Sequence, residues 1–150
     1  MKKEMVVSLF LSVFCLSSFA IADTYEVLMK NRGAKGAMVF EPDYIEIKPG
    51  DTIKYIRTHK SHNAASIPEL WPENEPQFKG KIDEEIEVTF KNEGFYGVKC
   101  IPHYAQGHVM MVRVGNADFP EKYRKFTAPG IADKRLKDIF GQIEESLSHK

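Results

Sequence analysis

Two strand-like stretches are joined by Lys99-Cys-Ile-Pro-His103-Tyr-Ala-Gln-Gly-His108, which sets one thiol and two imidazoles in a single short connection. A third imidazole, His62, lies upstream in a separate segment. A fold that joins them must hold Cys100 rigidly at a strand end and turn the chain back at Pro102 to bring His103 to the same point. It must also deliver His62 from another part of the sheet. Taken alone, Cys100 fits a small buried hydrophobe and each histidine a surface or core imidazole. Together, one sulfur and two or three nitrogens suit a mononuclear metal site. Copper is the first candidate, because thiolate and imidazole serve both of its oxidation states. A cysteine nucleophile fits poorly, since neither a glycine-rich oxyanion element nor an orienting acid accompanies Cys100 and His103. His59 and His149 lack such company and read as solvated.

Cys15, the second of the two cysteines, stands in an N-terminal stretch with the layout of an export leader. Lys2 and Lys3 give the basic start, Met5 to Phe14 the apolar run, and Ala20-Ile-Ala22 the small-x-small cleavage site. The apolar run is short against the about 20 residues of a spanning helix. Residues 1–22 are therefore expected to be a signal peptide cleaved after Ala22, with residues 23–150 forming one exported, periplasmic domain. Removing the leader leaves Cys100 without an intramolecular partner in an oxidising compartment. Metal ligation accounts for such a thiol. With 21 basic and 21 acidic residues the chain carries no net charge, and losing Lys2, Lys3 and Glu4 takes it only to −1. No global field draws it to nucleic acid or to a membrane, so electrostatic steering must come from a local patch.

The body predicts an all-β sandwich. Tyr25–Met29, Tyr44–Lys48, Ile53–Ile56, Phe95–Cys100 and Val109–Val114 read as strands, and Ile86, Val88 and Phe90 alternate with polar residues. Pro49-Gly-Asp51 and Asn92-Glu-Gly94 punctuate them, which suits a sandwich. Ala64–Gly80, with Pro68, Pro72 and Pro76, predicts a wrapped loop with a helical turn, held down by Ile67, Leu70, Trp71 and Phe78. In the extension 118–150, Pro120–Phe126 predicts a short helix. Leu136, Ile139, Phe140, Ile143 and Leu147 recur at helical spacing behind Asp133, a candidate N-cap. That stripe is expected to close a core.

Several runs bear a specific likeness. Asn31-Arg-Gly-Ala-Lys-Gly-Ala-Met-Val-Phe-Glu-Pro42, Lys48-Pro-Gly-Asp51, His62-Asn63, Lys99-Cys-Ile-Pro-His-Tyr-Ala105 and the helical tail resemble the pseudoazurin family. These are type I blue copper proteins among the plastocyanin-like cupredoxins. The resemblance covers nearly all of the chain after the leader. It implies a Greek-key sandwich of about eight strands with two C-terminal α-helices and one copper ion per subunit, cycling between Cu(I) and Cu(II). It also implies a non-enzymatic periplasmic electron shuttle, a monomer that exchanges electrons with cytochrome c-type proteins and delivers them to copper nitrite reductase or other denitrification enzymes.

Carried over by residue, the resemblance makes His62, Cys100 and His103 the equatorial ligands. Asn63 becomes the residue that steadies the ligand loops near the thiolate. Met38 matches a side chain packed beside the exposed histidine, and ordinary core filling would explain it equally well. The family places its axial methionine eight residues after the cysteine, and here that position is His108. Met110 is the fallback, but if a strand has begun it sits about 6.6 to 6.8 Å further on, so the geometry favours His108. An axial imidazole would favour Cu(II), lower the potential and move the colour toward green. Two alternatives share these groups: a closed Cys1His3 site for zinc or copper without redox function, and a more tetragonal copper reactive toward small molecules. His103 would reach the surface among Pro102, Tyr104, Ala105 and Met38. Lys60, Lys99, Arg32 and Lys79 would surround it and steer an acidic partner face.

Overall fold

The computed structural model describes residues 20–150, so most of the expected leader lies outside it. Eight strands form two four-stranded sheets. The strands are β1 Thr24–Gly33, β2 Gly36–Glu41, β3 Tyr44–Ile47, β4 Thr52–Arg57, β5 Ala65–Ser66, β6 Ile86–Thr89, β7 Gly94–Lys99 and β8 Val109–Val114. One sheet has the order β2-β1-β4-β6, the other β3-β8-β7-β5. Two pairings, β1 with β4 and β3 with β8, are parallel, and the rest are antiparallel. A short helix α1, Glu121–Arg124, and a long one, α2, Ile131–Ser148, complete the chain. This is the sandwich with two C-terminal helices that the sequence predicts.

Alternation sorts the side chains into two cores. Val27 and Met29 of β1, Ile53 and Tyr55 of β4, Val98 of β7 and Met110, Val112 and Val114 of β8 fill the space between the sheets. The other face of β8 turns Val109 and Met111 toward Leu136, Ile139, Phe140 and Ile143 of α2. All six residues of β8 are consequently buried. Its run Val-Met-Met-Val-Arg-Val is continuous rather than alternating, as a strand covered on both faces requires. The one cation in it, Arg113, donates from Nε and Nη2 to the Ala117 carbonyl at 3.2 and 3.0 Å. No described helix is long and apolar enough to cross a membrane.

Three local expectations need adjustment. The segment Gly36–Glu41 is a strand that its opening Gly-Ala pair conceals, since neither residue favours extended structure. Within the 64–80 loop, Ala65–Ser66 pairs with β7, and Pro68–Leu70 forms the expected helical turn. Helix α2 begins not at Asp133 but at Ile131, behind Gly130 at φ 58°. A Cβ on Gly130 would lie 2.4 Å from the Ala105 carbonyl oxygen, so the approach of the tail to the 101–106 turn decides this boundary. Asp133 instead accepts from the Ala128 N–H at 3.0 Å.

Candidate metal centre

One end of the sandwich gathers the four groups singled out by the sequence. His62 arrives on the loop after β4, Cys100 directly follows β7, His103 lies in a 3-10 turn at Ile101–Gln106, and His108 immediately precedes β8. One ligand atom from each lies within 4.8 Å of the others. The Nδ1 atoms of His62 and His103 are 3.1 Å apart, and the Cys100 sulfur lies 3.8 and 3.5 Å from them. The His62 and His108 ring centroids are 4.8 Å apart. His62, Cys100 and His108 are fully buried and His103 is half-buried.

Backbone bonds close the loop that carries three of these groups. The Cys100 N–H donates to the His108 carbonyl at 2.9 Å, the His103 N–H to the Cys100 carbonyl at 3.3 Å, and the His108 N–H to the His103 carbonyl at 3.2 Å. Asn63 joins this loop to the one carrying His62. Its Oδ1 accepts from the Ile101 N–H at 2.8 Å and its Nδ2 donates to the Gly80 carbonyl at 2.9 Å. Burial pushes the Cys100 thiol up, and the nearby Asn63 and His103 backbones oppose it. Asp83 holds the other side of the His62 loop: its carboxylate accepts from the Ser61 N–H at 2.7 Å and its own N–H donates to the His62 carbonyl at 2.8 Å.

Asn31 is a site residue whose role its sequence context does not reveal. Its Oδ1 accepts from His62 Nε2 at 2.7 Å, which places the proton on that nitrogen and leaves Nδ1 free to face the sulfur. Its signal was weak, since an Asn two residues before Gly33 reads as turn chemistry. His59, exposed as expected, accepts at Nδ1 from the Asn31 N–H at 3.0 Å and so supports that residue from behind.

His108 supplies the decisive test of fit. Both ring nitrogens are buried without a hydrogen-bond partner among the described residues; the Val39 carbonyl is nearby but does not reach bonding geometry. Burial, followed by the neighbouring His62 and His103, pushes this imidazole down to about 3, so it stays neutral. Burial and His103 likewise lower His62. A buried polar atom without a partner costs about 1–3 kcal/mol. A neutral imidazole in that position, beside a thiol and two further imidazoles, is a donor set suited to a bound cation. Met110 lies opposite Val98, two positions deeper along the inter-sheet face of β8.

Around the opening, Pro102 and Ala105 are exposed and Tyr104 is half-buried, with Lys99 Nζ 4.8 Å from its ring centroid. Lys60, Arg32 and Lys79 are exposed. Met38 is half-buried with its backbone at φ 52°.

Comparison with known proteins agrees with this geometry. Residues 27–115 match the family described as copper binding proteins, plastocyanin/azurin family. A pseudoazurin from Paracoccus pantotrophus is 45% identical over 106 residues, 71% of this chain and 73% of the relative. The solved pseudoazurin of Methylobacterium extorquens AM1 superposes with a TM-score of 0.75 at 37% identity, over 81% of this chain and 99% of that one. That of Hyphomicrobium denitrificans gives 0.74 at 37%, over 79% and 97%.

Proposed function

Because the chain belongs to the pseudoazurins, within the plastocyanin/azurin family of copper-binding proteins, we propose that it is a one-electron carrier rather than an enzyme. Its ligands are His62, Cys100 and His103 with His108 as the fourth. The observation that carries this reading is the convergence of four ligand atoms within 4.8 Å, one of them on an imidazole with no hydrogen-bond partner among the described residues. Copper held there supplies a couple between Cu(I) and Cu(II) to which thiolate and imidazole are both suited. Cys100 and His62 exclude water by their burial, and Asn31, Asn63 and Asp83 hold them in place before any metal arrives. His103, half-buried between exposed Pro102 and Ala105, is the bridge to the surface.

The polypeptide acts in the periplasm as a single domain of residues 23–150, including the helical extension 118–150. Cleavage after Ala22 is compatible with the packing of β1. The Asp23 nitrogen donates to Asp51 Oδ1 at 2.8 Å and the Asp23 carbonyl accepts from the Thr52 N–H at 2.9 Å, while Ala20, Ile21 and Ala22 are exposed. It docks transiently as a monomer, taking electrons from cytochrome c-type proteins and passing them to copper nitrite reductase or related enzymes. The face around His103, with Lys60, Lys99, Arg32 and Lys79, meets an acidic surface.

Metal analysis of leader-free protein isolated without added copper, with optical and magnetic-resonance spectra, tests the centre. Copper with an intense sulfur-to-metal charge-transfer band and spectra altered by a third imidazole donor is expected. Zinc alone, with no affinity for copper, would replace the reading by a non-redox module. Docking has its own check. Changing Lys60 and Lys99 to Glu should slow association with an acidic redox partner by about tenfold or more at low ionic strength. The same changes should flatten its salt dependence. Rates equal to the unaltered protein at low salt would remove both lysines from the docking face.

A further inference from the structure

One cation of the helical tail reaches back into the loop that carries His108. Arg135, in the second turn of α2, donates from Nη1 to the Gly107 carbonyl at 2.8 Å and to the Met38 carbonyl at 2.6 Å. Its Nη2 donates to the Ala37 carbonyl at 2.6 Å. It is half-buried, with no carboxylate within salt-bridge distance among the described residues: backbone oxygens take its hydrogen bonds, and the Asp43 carboxylate acts on its charge from further off. The planar fork of a guanidinium allows one side chain to fix several acceptors at set angles.

The two stretches it joins are the ones that surround His108. Gly107 precedes that residue directly and sits at φ 93°, with the guanidinium packed on its Cα. A Cβ there would lie 2.7 Å from Arg135 Cδ and 2.8 Å from Nε. Met38 occupies a left-handed conformation at φ 52°, which a residue with a side chain keeps only when its surroundings fix it. Two residues further on, the Phe40 ring packs 4.4 Å from the His108 ring, centroid to centroid. With no hydrogen bond to orient it among the described residues, the His108 imidazole is positioned by the backbone at Gly107 and by packing against the Phe40 and His62 rings. Arg135 bonds the backbone at Gly107 and, two and three residues ahead of Phe40, at Met38 and Ala37.

We infer that Arg135 is the positioning residue for the fourth ligand: it locks Gly107 against the start of β2 and so sets how closely the His108 ring approaches the bound ion. The inference rests on His108 being a ligand. It gives the tail a role in tuning the centre that goes beyond covering β8.

The test compares copper-loaded unaltered protein with Arg135→Met, Arg135→Lys, His108→Met and Lys137→Met, read by optical and magnetic-resonance spectra beside thermal melts. Lys137 is the control, since it ties α2 to the carbonyls of Arg124 and Phe126 and does not touch the ligand loop. Both Arg135 variants are expected to shift the spectra away from the unaltered protein and toward His108→Met. Lys137→Met should keep the unaltered spectra whatever melting temperature it loses. Folded Arg135 variants with unaltered spectra would overturn the inference and leave the ligand assignment standing. Failure of both variants to fold would reduce Arg135 to a structural tie and overturn it equally. If His108→Met itself matches the unaltered spectra, the ligand assignment falls and the inference falls with it.

Discussion

Cys100→Ser is expected to remove the intense charge-transfer absorption of the copper-loaded protein and to weaken Cu(II) binding by more than the 10–100-fold typical of outer-shell losses. The sulfur is the only soft donor in the cluster, and a serine hydroxyl can supply neither its covalency nor its negative charge at neutral pH. The metal-free fold should survive. Cys100 is a small, fully buried side chain, and a hydroxyl there would find the Nδ1 atoms of His62 and His103 near the positions 3.8 and 3.5 Å from the present sulfur. Copper titration followed by absorption, with circular dichroism on the metal-free variant, reads both halves. A variant that keeps the charge-transfer band would place the chromophore elsewhere.

The second large effect comes from His108→Met, and it has opposite signs in the two forms of the protein. With copper bound, exchanging an imidazole for a softer thioether should weaken Cu(II) relative to Cu(I) and raise the reduction potential. Each tenfold change in relative affinity corresponds to about 59 mV for a one-electron couple. A loss of tenfold or more therefore predicts a rise of about 60 mV or more. Without metal, the same change replaces two buried ring nitrogens that have no partners by an apolar chain, and should stabilise the fold by about 1–3 kcal/mol. Voltammetry and metal-free melts measure the two separately. A potential and spectra unchanged by the substitution would exclude His108 as a ligand. An unchanged melt would mean that its nitrogens carry no desolvation penalty.

Much of this centre was legible in the sequence because its donors are chemically rare and closely spaced. Cys100, His103 and His108 sit in one connection, and Cys100 is the one cysteine from residue 23 onward. The tail stripe was legible for a different reason: Leu136, Ile139, Phe140 and Ile143 follow the helical period, and all four are buried against β8 and its surroundings. Asn31 and Arg135 were not legible. Their roles depend on contacts to residues 31 and about 97 positions away, and nothing in their local patterns distinguishes them from a turn residue and a solvated helix cation. Asp133 misled for a related reason. A polar residue ahead of an apolar stripe is a reasonable start signal, but the boundary was set by the crowding of Gly130 against Ala105, which is invisible to local pattern.

The span between α1 and α2 has a consequence for the protein's working life. Thr127, Pro129 and Gly130 are exposed, and they precede the element that both covers Val109 and Met111 and restrains Gly107. A single proteolytic nick there would break the covalent tie of α2 to the sandwich and leave its packing on Val109 and Met111, and its bond to Gly107, to hold it in place. Cover of the strand and restraint of the ligand loop would then depend on the same non-covalent contacts.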